Sequence, residues 1–405
     1  MMTVLAGAEP FDQDPRRWRM LLLVSAALLL GMSEWFTASA VAPQLADRWA
    51  LSNGQVAWLT TIVALGFVSG TAAAALLNLA DVISSRWYFF GSALLAAGAN
   101  ATLLLVPGFR TALVGRFLTG FFLAGVYPPA MKMIATWFRS ARGLAIGTVV
   151  GALTVGKATP YLLKAFEGAG IGVVVAGASI AGTAAGLIVA AAYRDGPYPF
   201  ARRPFSWGLV ARILRHRETM LATGGYLGHM WELYAMWTWV PAFLLAAARV
   251  GDGPREPVVD LVAFGAIAAG GMGCVWGGWA ADRMGRARVV NMAMGVSGAC
   301  CLLVGFLFHA PFPALALLTW VWGFFVVADS AQFSSMVTEV APSHAVGTAL
   351  TLQTSLGFLL SMVTIQGMPH VVALAGWPGA FPFLALGPAA GIASILRLGR
   401  ARTQG

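Results

Sequence analysis

Six ionisable side chains lie inside long apolar stretches of the sequence, where a charge is costly. A charged group at the centre of a membrane helix costs about 2.5–3.5 kcal/mol on insertion scales, so each one needs a reason. Glu34 and Glu232 lie at matching depths, and His229 shares a helix face with Glu232, three residues away. For His229, a substrate contact and an ordinary hydrogen bond both remain open. The candidates for binding substrate or protons are Glu34, Arg116, Lys157, His229, Glu232 and Asp329.

Charge type divides these candidates by chemistry. The carboxyl groups of Glu34, Glu232 and Asp329 are candidates for a protonation step, because burial favours the neutral form of a carboxyl group. Lys157 and Arg116 would attract an anionic substrate. The alternative interpretation is that these charges pair as salt bridges between helices and never contact a substrate. For Arg116, a structural role and a proton relay are further alternatives.

The elements that carry these residues are predicted to be membrane helices. Of the 405 residues, 59% are hydrophobic and 10% are charged, and the mean hydropathy is +0.76, whereas soluble domains carry about 25% charged residues. Apolar stretches of about 20 residues suit helices that span the hydrocarbon layer, where every backbone polar group needs an internal partner. The chain is therefore predicted to be an all-α polytopic membrane protein in contact with the lipid bilayer.

The distribution of charge predicts the topology. Eighteen arginines fall on one side of the predicted bundle, and five Lys and Arg residues fall on the other. Since basic residues favour the cytoplasmic side, we expect a multi-pass protein of the cell inner (plasma) membrane with both termini cytoplasmic. The twelve predicted spans are about 19–43, 55–80, 87–106, 112–137, 142–164, 170–193, 219–247, 259–281, 288–308, 312–340, 345–370 and 376–396.

A sequence repeat divides the spans into two sets of six. Glu34 and Glu232 each precede a proline by nine residues, and Gly120-Phe-Phe is matched by Gly323-Phe-Phe. Across four such landmarks the offset drifts only from 198 to 204. Parallel repeats around a central axis are typical of transporters. We predict a bundle of residues 1–193, a cytoplasmic linker of residues 194–218 and a second bundle of residues 219–405. The linker is either an interfacial helix on anionic lipid or a basic segment that sets topology.

The segment from Gly277 to Arg288, read as GGWAADRMGRAR, resembles the loop signature of the major facilitator superfamily. Arg116 with Gly120 resembles that family's Arg-x-x-x-Gly element in the fourth span. The resemblance covers essentially the whole chain and implies twelve transmembrane helices in two pseudo-symmetric six-helix bundles. It leaves the substrate open, because this superfamily carries sugars, drugs, peptides and anions. It places four candidates on spans that line the central cavity: Glu34, Arg116, Glu232 and Asp329.

The loop signature suggests a gate. An aspartate at the end of one helix can pair with an arginine across a helix junction and hold one access state. The alternative is that these arginines only anchor the cytoplasmic side. The first half carries a reduced version of the signature. The gating candidates are Asp81, Arg86, Asp282, Arg283 and Arg286.

Two transport functions compete. The first is a secondary active, proton-coupled carrier of a small anion, a carboxylate or an oxyanion, working by alternating access. Residues 225–232 and 329–333 resemble bacterial members loosely grouped with nitrate/nitrite porters, but those porters bind nitrate through arginines in the second and eighth spans, which this chain lacks. The alternative is an exporter of amphipathic or drug-like compounds. Uptake and export, and symport and antiport, remain open.

Other classes of function find no support in the residues. The basic residues sit in short connectors rather than in a stripe interleaved with aromatics, so nucleic-acid binding is not expected. Cys274, Cys300 and Cys301 have no metal-ligand spacing and form no disulfide framework. No catalytic nucleophile, metal or phosphate-loop constellation occurs. We expect no enzyme activity, no cofactor and no metal, and a monomer whose partner is a small-molecule substrate.

Overall fold

The computed structural model describes residues 14–166, 169–198, 207–250, 253–342 and 345–404, and every regular element within them is helical. The first half comprises α1 (Arg16–Met32), α2 (Thr37–Ala40), α3 (Ala42–Trp49), α4 (Asn53–Leu76), α5 (Leu79–Val82), α6 (Ser85–Ala101), α7 (Phe109–Leu123), α8 (Tyr127–Ala135), α9 (Arg142–Lys164) and α10 (Ile171–Ala192). The second half comprises α11 (Trp207–Arg215), α12 (Arg217–Val250), α13 (Glu256–Met284), α14 (Arg286–Leu303), α15 (Phe312–Ala328), α16 (Ser330–Val340), α17 (Val346–Ala380) and α18 (Leu386–Gln404).

Ten helical segments of the described chain are long and apolar enough to cross a membrane. The last of them, Val346–Arg402, contains both of the final two predicted spans, which meet near Gly376, a residue with φ of +66°. The first predicted span falls on α1, α2 and α3, whose individual lengths are too short to qualify. The polytopic all-helical fold is confirmed, and the count of twelve stays a prediction.

Three of the predicted spans are interrupted near their middle. Residues 33–36 form turns between α1 and α2, residues 124–126 separate α7 from α8, and Asp329 separates α15 from α16. Pro128 and Pro129 stand at the start of α8, where the missing N–H groups cost nothing. An interruption leaves backbone carbonyls without helical partners, so a polar side chain must supply the hydrogen bonds.

The described parts of the two halves contact each other mainly through two helix pairs, α9 with α13 and α4 with α17. Glycines let α9 and α13 approach closely, since a Cβ at Gly147 would lie 2.7 Å from the Cys274 carbonyl oxygen and one at Gly151 would lie 2.7 Å from that of Gly271. Small residues at such an interface are the usual means of close helix packing in membranes.

The linker helix α11 packs on α12 and α17. Ile213 is buried, whereas Leu214 is exposed beside Arg212 and Arg215. The helix is therefore amphipathic. The rest of the basic linker, with Arg202 and Arg203, lies outside the described residues.

Candidate functional site

A blind cavity of about 440 Å³ lies between the two halves. Its mouth is at the arginine-rich end of the bundle, where Arg142 and Glu339 are exposed. Its floor is formed by buried residues, among them Trp35 and Lys157. Arg142 and Lys157 are both on α9, fifteen residues apart, so the cavity runs about 22 Å along that helix.

Lys157 sits in an aromatic cage contributed by both halves. Its Nζ lies 4.1 Å from the ring centroid of Trp35 in the first half, and 4.6 Å and 5.4 Å from those of Tyr234 and Trp237 in the second. The ammonium group also donates a hydrogen bond to the Tyr234 hydroxyl. Aromatic faces attract a desolvated cation by about 2 kcal/mol. They therefore stabilise the charge without neutralising it.

The floor is rich in unused hydrogen-bond donors. The indole Nε1 atoms of Trp35 and Trp237 are buried, and neither has a hydrogen-bond partner among the described residues. Both rings line the cavity together with Lys157 and Tyr234. A buried donor without an acceptor costs about 1–3 kcal/mol. A ligand that brings acceptor oxygens to the floor would relieve this cost.

Arg116 holds the interruption of the first span. Its Nη2 donates to the backbone carbonyl oxygens of Glu34 at 3.0 Å and Trp35 at 2.5 Å, and its Nη1 donates to Asn100 Oδ1 at 2.6 Å. The guanidinium therefore supplies the hydrogen bonds that the broken helix lacks, as its planar donor array is suited to do. This geometry gives Arg116 a structural role.

Glu34 points away from the cavity towards α10. Its side chain is fully buried, and neither carboxylate oxygen has a hydrogen-bond partner among the described residues. The carboxyl group lies against Gly182, where an added Cβ would overlap Glu34 Oε1. Charge is expensive in such a place, and binding a proton removes that cost.

The Glu232 carboxylate, unlike that of Glu34, is surrounded by hydrogen-bond donors. Its carboxylate accepts hydrogen bonds from Trp322 Nε1 at 2.6 Å, Ser297 Oγ at 3.0 Å and Cys301 Sγ at 3.1 Å. These donors come from α14 and α15, so Glu232 ties three helices of the second half together. The predicted one-turn neighbour His229 pairs instead with Asp329 at the break between α15 and α16, Nδ1 to Oδ1 at 2.9 Å.

The structure thus distributes the six candidates differently from the expectation that four of them line the cavity. Among the described residues of the lining, Lys157 is the only one of the six. The other five are buried and do not line the cavity: Glu34, Arg116, His229, Glu232 and Asp329.

The gating candidates bond mainly within their own halves. Arg283 lies over the Trp279 ring at 3.9 Å, and Arg286 pairs with Glu339 at 2.7 Å. Arg86 donates to the Ala190 carbonyl oxygen. The side chain of Asp81 lies outside the described residues.

Asp282 is the gating candidate that reaches the other half. Its carboxylate lies against Gly143 in the first turn of α9, where an added Cβ would be 3.0 Å from Oδ1. A negative charge beside a helix N-terminus is favourable because the first N–H groups of the helix are exposed there. We expected an arginine as the partner of Asp282, whereas in the structure its carboxylate lies beside the N-terminus of α9.

A cross-half ion cluster at the far end was missed by the sequence analysis. Lys164 Nζ lies 2.9 Å from Glu256 Oε1 and 3.2 Å from Asp260 Oδ1, joining the end of α9 to the start of α13. Gln366 Nε2 also donates to Thr61 Oγ1 across the halves at 3.0 Å. Two acids four residues apart share a helix face, which was the available signal.

Residues 23–365 match the family model described as Major Facilitator Superfamily. The chain belongs to the major facilitator superfamily. It is a transporter of that fold, with multiple membrane-spanning helices. The predicted helical membrane-protein class and transporter class are thereby confirmed, and the division into two six-helix bundles stays a prediction.

Two relatives of this major facilitator protein are informative. The "Puromycin resistance protein pur8" of Streptomyces alboniger is 32% identical over 158 residues, which cover 37% of this chain and 30% of that relative. The crystal structure of a bacterial homolog of the human lysosomal transporter Spinster, inward-facing and unoccupied, matches with a TM-score of 0.67 and 15% identity. That match covers 98% of this chain and 96% of the other, and shows a shared fold.

Proposed function

We propose that this major facilitator protein transports a small anion across the cell inner membrane by alternating access coupled to protons. The observation that carries the proposal is the floor of the cavity, where the ammonium group of Lys157 and the unpartnered indole N–H groups of Trp35 and Trp237 are buried together. All are donors. An anion supplies the acceptor oxygens and the negative charge that this floor lacks.

We infer that the cavity floor links anion binding to alternating access. Both halves contribute to the cage, Trp35 and Lys157 from the first and Tyr234 and Trp237 from the second. An anion bound there contacts both halves at once, so its binding biases their relative position. The Lys164 cluster holds the far end closed while the mouth is open. We infer that Asp282 beside the N-terminus of α9 and the arginines Arg86, Arg283 and Arg286 act at the mouth, with Asp81 as the first-half counterpart.

Proton coupling is proposed to act through Glu34. Glu34 and Trp35 are consecutive residues of one interrupted turn, whose carbonyl oxygens are both held by Arg116. The Glu34 side chain lies against Gly182, and the Trp35 ring lies in the cavity wall. Protonation of Glu34 and binding of an anion beside Trp35 therefore both affect the same interrupted turn of the first span. His229 and Asp329 form a second buried pair of ionisable side chains, at the break between α15 and α16.

Counterflow in proteoliposomes tests the anion site. Lys157→Met removes the charge and keeps the side-chain length, and Lys157→Arg keeps the charge. We expect Lys157→Met to lose uptake of the transported anion and Lys157→Arg to retain part of it. Unchanged uptake in a correctly folded Lys157→Met protein would remove the anion site from consideration.

An exporter of amphipathic or drug-like compounds is the second candidate. Two observations favour it, the aromatic lining of the cavity and the partial similarity to the puromycin resistance protein. A cationic dye would then displace no anion, and its transport would survive in Lys157→Met. The resemblance to nitrate/nitrite porters remains a separate proposal about ancestry, and the cavity floor offers Lys157 where those porters use arginines.

A further inference from the structure

We infer that the transported anion is an organic monocarboxylate with an aromatic or other bulky apolar body. The carboxylate binds at the cage of Lys157, and the body lies along the apolar cavity wall. This inference rests on the proposed anion-transport function and names the substrate class of the same site.

Cavity size argues against an inorganic oxyanion alone. A four-atom anion occupies on the order of 60 Å³, about twice the volume per water molecule in the liquid. The cavity holds about 440 Å³, within the range of about 300–1,000 Å³ typical of sites for organic ligands. An oxyanion at the floor would leave most of the cavity to be filled by something else.

The wall of the cavity is suited to an apolar body. Directly around the floor, Phe67 and Phe358 pack at a centroid distance of 4.9 Å, and Trp35 lies 5.4 Å and 5.5 Å from these two rings. Above them the wall continues with Met32, Met230 and Leu233. Aromatic rings and methionines offer dispersion contacts to a flat apolar group without demanding hydrogen bonds from it.

The placement of charge argues for a single carboxylate. The next cation along α9 that lines the cavity is Arg142, about 22 Å from Lys157 by helix rise. Lys132 in the lining is already engaged with another group, and Arg286 is paired with Glu339. A compact dicarboxylate would leave its second charge against aromatic rings, where desolvation is costly.

Phenylacetate and four analogues separate the parts of this inference. Acetate and nitrate lack the body, phenylacetamide lacks the charge, and phenylmalonate adds a second charge. Equilibrium dialysis of labelled phenylacetate against the purified full chain in lipid nanodiscs, with the others as competitors, gives their relative affinities. We expect phenylacetate to compete at least about tenfold better than each of the others.

Two indole substitutions test the mode of binding. Trp35→Phe and Trp237→Phe keep a ring and remove the N–H donor, and each should weaken phenylacetate binding by about three- to tenfold. Trp58→Phe is the matched control, because Trp58 is 39% exposed and does not line the cavity. It should bind phenylacetate as the unmodified protein does. Equal loss in all three variants would overturn the proposed mode.

The outcomes distinguish this inference from the function on which it rests. If acetate or nitrate matches phenylacetate and Lys157→Met abolishes binding of all three, the anion site stands and the substrate class is wrong. If phenylmalonate binds best, the single-charge argument is wrong. If phenylacetamide binds as well as phenylacetate, the anion-transport proposal itself fails.

Discussion

The two halves place a glutamate at the same position of their first spans and surround it in opposite ways. In the second half, Glu232 accepts three hydrogen bonds from Trp322, Ser297 and Cys301. In the first half, the carboxylate of Glu34 has no hydrogen-bond partner among the described residues. We propose that this difference leaves Glu34, rather than Glu232, as the carboxyl group that takes up and releases a proton.

The residues at the position of Arg116 also differ between the two halves. With the offset of 203 that aligns Gly120 with Gly323, Thr319 is the second-half residue that corresponds to Arg116. Arg116 donates to the backbone of the broken turn and not to the Glu34 carboxylate. Thr319 bonds within its own helix, to the Ala316 carbonyl oxygen. We propose that the two halves use their glutamates differently, Glu34 in transport and Glu232 in structure.

Replacing each glutamate by leucine should give the largest difference in stability between the two halves. Glu232→Leu leaves three buried donors unsatisfied, so we expect a loss of about 3 kcal/mol or more in stability and a clear fall in the apparent Tm. Glu34→Leu removes a buried group without donors, so its Tm should stay near that of the unmodified protein or rise. Tryptophan-fluorescence melting in one detergent measures both. Equal destabilisation by the two would contradict the assigned difference.

Arg116→Lys tests whether the broken turn depends on the guanidinium. A lysine cannot reproduce the planar array that reaches the carbonyl oxygens of Glu34 and Trp35 and the side chain of Asn100 at once. We expect about 2 kcal/mol of destabilisation from lost charge-assisted hydrogen bonds. Thr319→Ser, at the matching position of the second half, keeps its hydroxyl and loses one buried methyl group, so it should cost only about 0.8 kcal/mol. A stable Arg116→Lys protein would show that the turn holds itself.

Gly182→Ala sharpens the assignment of the Glu34 pocket. The added methyl group occupies the place of Glu34 Oε1, so the carboxyl group must move. We expect pH-gradient-driven uptake to fall by a few-fold, with a small effect on the melting temperature. Gly172→Ala is the control on the same helix, because nothing lies within 4 Å of its added Cβ. If both variants transport alike, the pocket around Glu34 has no part in coupling.

The sequence predicted the fold well because a few strong physical rules govern it. Long apolar stretches follow from the thickness of the hydrocarbon layer, and the arginine bias follows from the preference of basic residues for the cytoplasmic side. It also identified Lys157 as the buried cation of interest. The contacts of each ionisable side chain could not be predicted from the sequence, because they join residues that are far apart along the chain. Trp322 lies 90 residues from Glu232, and Tyr234 lies 77 residues from Lys157.

The same limit explains the contacts that the sequence did not predict. Periodicity placed His229 and Glu232 on one helix face, and tertiary packing adds Asp329, a hundred residues later, as the partner of His229. Membership of a cavity-lining span did not make a residue line the cavity. Glu34 and Trp35 are neighbours in sequence, yet the interrupted helix turns one towards α10 and the other into the cavity wall.

Proton-driven uptake and exchange, measured together in proteoliposomes for Glu34→Gln and Glu232→Gln, test the central claim most directly. Glutamine matches the size of glutamate and holds no titratable proton. We expect Glu34→Gln to lose accumulation driven by a pH gradient while anion exchange continues. We expect Glu232→Gln to keep both activities in the fraction of protein that folds. Accumulation that persists in Glu34→Gln and disappears in Glu232→Gln would reverse the roles of the two halves and contradict the proposed role of Glu34.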